Sequence, residues 1–177
     1  MNLGSCEIRI VAIAIRSQRL GFAVLEGSLG LVDWRTVHYR SNTVPRIKVA
    51  VKKLTSLIAL TPPSVIVIER SRLVNAPNAS NVCSICRLLK REAEARLVPM
   101  LSMKREDVRK TFRDLNARSK DAIAATIARM FPELASKLPP KRKIWHGEHP
   151  TMALFDAVAL AIAFWDHQNG TDPAITH

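Results

Sequence analysis

The chain is short of acid. Its 177 residues carry 15 Asp plus Glu against 27 Lys plus Arg, a formal net charge of +12. An imbalance of that size attracts polyanions, through the same release of counterions that drives DNA and RNA binding. Cysteine is also scarce, and three is an odd number, which argues against a disulfide framework. Cys83 and Cys86 have the spacing of half a zinc site, but no second pair follows and Cys6 is the only other thiol. Two small core residues on a helix are the plainer reading. Long hydrophobic runs are missing too: the longest, Met152 to Trp165, is too short to span a bilayer comfortably and is interrupted by Asp156. Met1 to Gly4 lacks the features of a signal peptide, and no segment has the basic and apolar faces of an interfacial helix. A cytoplasmic, nucleoid-associated protein with no membrane partner is therefore expected. There are no internal repeats and no low-complexity tracts. With 47% hydrophobic residues the chain suffices for one domain, expected over 1–168, with a frayed tail over 169–177.

What is present is acid in unusual places. Asp156 stands alone in a segment that, as a helix, is apolar on every face and must be buried. An ionised carboxylate there needs a cation or strong hydrogen-bond donors. Glu69 ends the run Val65-Ile66-Val67-Ile68, strong strand formers in a stretch short enough for a central buried strand. Two carboxylates at the edge of one core suggest a metal. The bland alternative is a buried structural ion pair between Asp156 and an arginine.

Hydrophobic patterning supplies the framework. Glu7 to Ile15, Leu20 to Leu25 and Leu29 to Val37, punctuated by Gly21, Gly27 and Gly30, read as a three-stranded antiparallel meander. From Val44 the period changes, with Ile47, Val51, Leu54 and Ile58 on one helical face and Lys48, Lys52 and Lys53 on the other. This helix ends at Thr61-Pro62-Pro63 and crosses over to the Glu69 strand, expected parallel to the first. Residues 70–81 have loop chemistry. A helix from about Ser80 to Arg96, a strand from Leu97 to Leu101, and helices over about Lys104 to Phe112 and Ser119 to Phe131 follow. Pro132 to Pro150 reads as a basic loop, after which Thr151 can cap the buried helix.

Four stretches in this order resemble a known family. They are Ile10 to Phe22; Val67-Ile68-Glu69-Arg70; Glu106 to Thr111 followed by Ser119-Lys120; and Phe155-Asp156-Ala157-Val158-Ala159-Leu160-Ala161. The chain resembles the ribonuclease H fold and, more closely, the RuvC family of Holliday junction resolvases. That resemblance implies a mixed five-stranded sheet, three antiparallel strands then parallel additions, flanked by helices. It also implies a homodimer that binds branched, four-way DNA and cuts it as a metal-dependent endonuclease. In the family four carboxylates hold two Mg²⁺ (or Mn²⁺) ions, one activating water and the other stabilising the leaving oxygen. Carried onto this chain, Glu69 and Asp156 are the expected metal ligands.

The chain departs from the family twice. Ala14 occupies the first-strand slot of the expected Asp, and Ala153 stands where another acid is common. Three readings of Ala14 compete: natural loss to a binding-only protein, an engineered inactivating change, which is the favoured one, and relocation of the ligand. For Ala153, Glu148 in the preceding loop could reach the site as a metal ligand, with His146 or His149 assisting; a helix-start acid and solvated histidines are the alternatives. Arg109 and Lys120 match the spacing of the family's two active-site lysines and would neutralise the scissile phosphate. Lys104, Arg105, Lys110, Arg113 and Arg118 extend them to a cationic track. Arg70, Arg72 and Asn75 are expected at the junction centre, and Arg16 and Arg19 beside the first strand as further DNA contacts. An RNA-processing member of the same fold remains open, since fold alone does not fix substrate.

Overall fold

The computed structural model describes residues 8–16, 18–39, 45–70, 79–140 and 148–170. Arg72, Asn75, Cys6 and His146 lie outside them.

The apolar run at the N-terminus becomes β1 (Arg9–Ile15), the middle strand of a five-stranded sheet. Its partners are β2 (Arg19–Glu26), antiparallel, and β4 (Val65–Arg70), parallel. The antiparallel strand β3 (Gly30–His38) and the parallel strand β5 (Met100–Lys104) are the edges. This is the expected mixed sheet. Burial on both faces explains why β1 and β4 are continuously apolar rather than alternating.

Helices cover the two faces. On one side α1 (Arg46–Leu60) and α2 (Ala79–Ala95) bury Leu54, Ile58, Val82, Ile85 and Leu89 against Val11, Ile13, Phe22 and Ile66. On the other, α5 (Met152–Gly170) lies on Ile10, Ala12, Ala23, Leu25 and Val67, with α3 (Arg105–Asp114) and α4 (Lys120–Met130) beside it. Ser119 caps α4 by accepting a hydrogen bond from the Ala122 N–H at 3.1 Å.

Three boundaries differ from expectation. Strand β5 begins three residues late, because Leu97 and Val98 belong to the C-terminal turn of α2. There Leu97 takes a left-handed φ of 57° and the Val98 N–H returns to the Ala93 carbonyl at 3.0 Å. The supposed loop after Phe131 opens with a 3-10 helix, Pro132–Lys137, whose first position tolerates proline because that N–H has no helical partner. Finally, α5 continues to Gly170, past the expected domain end at 168.

Candidate functional site

Strand alternation decides what sits beneath Asp156. Ile10, Ala12 and Ala14 face α5 while Val11, Ile13 and Ile15 face the opposite core. Arg16 follows with the same parity as Ala14. In β4, Val65 and Val67 face α5, so Glu69 does too, and the pairing of Ile13 with Ile68 sets Ala14 and Glu69 side by side at the C-terminal ends of two parallel strands. Such strand ends are where α/β sheets expose their sites.

Close approach of α5 completes the pocket. Gly21, paired with Ala14, has no side chain for a steric reason: a Cβ there would lie 1.7 Å from the Ala153 carbonyl oxygen. The first turn of α5 thus rests directly on β2. Asp156 comes one turn later, the single partly exposed residue in a helix otherwise buried from Met152 to Phe164.

The cation that Asp156 requires is Arg16. Its Nη2 donates to Asp156 Oδ2, and its Nη1 donates to Glu69 Oε2 at 2.6 Å and to the Ile15 carbonyl at 3.2 Å. Arg16, expected on the DNA-facing border, therefore turns inward. Its backbone is fixed as well, the N–H donating to the Arg19 carbonyl at 2.8 Å and the carbonyl accepting from the Tyr39 hydroxyl. Burial alone would lower the Arg16 pKa; the fields of Asp156 and Glu69, with their hydrogen bonds, outweigh it and raise the value. Burial also pushes Tyr39 up to about 12, although Arg46 acts in the other direction.

A second cation closes the group. Lys120 Nζ donates to Asp156 Oδ2 at 3.1 Å and to Glu148 Oε1, so one Asp156 oxygen serves both Arg16 and Lys120. Glu148 thus reaches the site, through Lys120. Arg105 and Arg109 line a small cavity of about 30 Å³ with Glu69, Lys120 and Asp156. Lys104, Lys110, Arg113 and Arg118 are exposed and do not line it. Arg19 and His149 line a larger cavity of about 350 Å³ with Arg16, Glu148 and Ala153. The His149 ring is 2.8 Å from the Thr151 hydroxyl, the group expected to cap α5. Only the backbone of Arg70 is described; it pairs with Lys104.

The donors do not fit the expected pair of divalent ions. Hard cations need several oxygen ligands. Ala14 supplies none, Glu69 and Asp156 are engaged by Arg16, and no three or more His, Cys, Asp or Glu among the described residues are placed to hold a metal ion. What the arrangement can do is neutralise its own acids and offer a rim of cations to an outside anion.

Neither a family model nor a curated relative matches the sequence. Solved structures do match in fold. RuvC of T. thermophilus in complex with Holliday junction substrate superposes with a TM-score of 0.67 at 15% identity, over 93% of this chain and 97% of that one. The yeast mitochondrial Holliday junction resolvase Ydc2 gives 0.61 at 15% identity, over 94% and 82%. The fowlpox virus Holliday junction resolvase gives 0.56 at 12% identity, over 90% and 99%. The chain therefore has the ribonuclease H-like fold of the RuvC-type resolvases.

Proposed function

We propose that this protein binds branched DNA, in particular four-way junctions, and that it does so without cutting. The observation that carries the reading is the pairing of a cationic rim with an incomplete acid set. Arg105, Arg109 and Lys120 border the pocket beside Asp156, while position 14, beside Glu69 on the adjacent strand, is alanine. Phosphates are met by the rim, and a net charge of +12 adds general affinity. Two such pockets are needed for the two opposed strands of a junction, so the reading includes a homodimer.

A second reading is a metal-dependent junction endonuclease, favoured by Glu69, Asp156 and Lys120 meeting in one cavity as the resemblance implies. On that reading two Mg²⁺ or Mn²⁺ ions would bind once a carboxylate is present at 14. The test mixes the protein with labelled four-way junction, linear duplex and structured RNA, with and without Mg²⁺ or Mn²⁺. The binding reading expects a shifted, intact junction at concentrations that leave duplex free, with affinity falling steeply as salt rises. Cut junction from the parent chain establishes the endonuclease instead, and cutting gained only by Ala14→Asp locates the missing ligand. Equal affinity for duplex ends the claim of structure selectivity. Preference for RNA points to an RNA-binding member of the fold.

A further inference from the structure

We propose that Arg16 is the resident cation of the pocket, a guanidinium built into the chain in the place a divalent ion would need between Glu69 and Asp156. Two carboxylates converging on one site repel each other unless a positive charge lies between them. Arg16 supplies it in a form suited to the task. A planar guanidinium presents separate N–H groups to separate acceptors, and here Nη1 takes Glu69 while Nη2 takes Asp156. These groups are mostly buried, with side-chain exposures of 25% for Arg16, 16% for Glu69 and 17% for Asp156, so solvent replaces the contact only in part.

The guanidinium is also held in advance. Arg19 and Tyr39 fix the Arg16 backbone from its two polar ends, and Tyr39 is itself 1% exposed. Position 14 belongs to the same device. It precedes Arg16 by two residues on the same face, and a carboxylate there would add a further negative charge beside Glu69, whose oxygen Arg16 already engages, and Asp156, which Arg16 and Lys120 share. Alanine at 14 and the inward-turned arginine at 16 therefore suit each other, since no acid stands at 14 to compete for the guanidinium.

This inference does not depend on DNA, and its test contains none. The purified chain is stripped with EDTA and titrated with Mn²⁺ alone, reading free Mn²⁺ by electron paramagnetic resonance and Tm by calorimetry. The parent is expected to leave Mn²⁺ free and to keep one Tm in EDTA and in Mn²⁺. Arg16→Met, which keeps the length and removes the charge, is expected to melt lower and to recover about 5 °C when Mn²⁺ exceeds its Kd by about 100-fold. Stoichiometric Mn²⁺ uptake by the parent with a rise in Tm overturns the proposal, as does an Arg16→Met protein as stable as the parent. If Arg16→Met does not fold, Arg16→Met/Glu69→Gln decides. Restored folding supports an electrostatic role, and equal failure assigns Arg16 to packing and overturns it.

Discussion

The floor and the rim of the pocket are both charged, but they handle charge differently. On the floor, Glu69 and Asp156 are matched to Arg16 at hydrogen-bond distance, on elements buried against the sheet. At the rim, Arg109 projects from α3 into solvent beside a cavity, with Arg105 half-buried next to it. A matched, mostly buried group of charges contributes by not being left unpaired. A solvated cation contributes little to folding and is available to an external phosphate. Floor and rim should therefore separate cleanly, floor substitutions acting on stability and rim substitutions on binding.

The largest effect should come from the floor's geometry rather than its charge. Gly21→Ala drives a Cβ into the Ala153 carbonyl, and because backbone cannot swing aside the cost should reach about 3 kcal/mol, the upper end of overpacking penalties. Urea unfolding measures it. Next is Arg16→Met, which strands Glu69 and leaves Asp156 with Lys120 alone; with the group partly exposed to solvent, a loss of about 2 kcal/mol is expected by the same assay. A loss under about 0.5 kcal/mol, the range of ordinary surface changes, would mean that floor and rim do not differ.

Tyr39 gives the floor a pH signature. Its phenol titrates near 10 in the unfolded chain and is pushed up to about 12 in the fold. The folded state thus holds its proton longer, so the contribution is complete below pH 10 and is lost as pH rises through about 12. Stability measured from pH 9 to 12 should fall more steeply for the parent than for Tyr39→Phe, by about 1 to 2 kcal/mol over the range. Parallel curves would remove Tyr39 from the account. The smallest effect on folding belongs to the rim: Arg109→Ala should change stability by less than about 0.5 kcal/mol. It should still weaken junction binding and reduce the slope of log affinity against log salt by about 1.

Much of this was legible in residue patterning. The run to Glu69 and the helix around Asp156 are each continuously apolar apart from the acid, which marks them as buried, and both fold as read. Leu97 and Val98 are good strand formers that suggest an earlier start for β5, whereas the αL turn that claims them is a tertiary choice of backbone. The inward turn of Arg16 is hard to see from residue patterning for a different reason. Composition invites every arginine near a nuclease-like strand to be assigned to DNA, yet two signals pointed inward: Asp156 needs a cation, and Arg16 shares the strand parity of Ala14. Gly21 and Tyr39 gave no such signal, since a close helix approach and a bond to a backbone carbonyl arise only from packing.

The central claim is that the floor is complete in itself while the rim binds. Its most direct test is end-labelled four-way junction incubated with the parent chain and Mn²⁺, then split between a native and a denaturing gel. The account predicts a retarded complex on the first and full-length strands on the second. Nicked strands from the parent chain would contradict it.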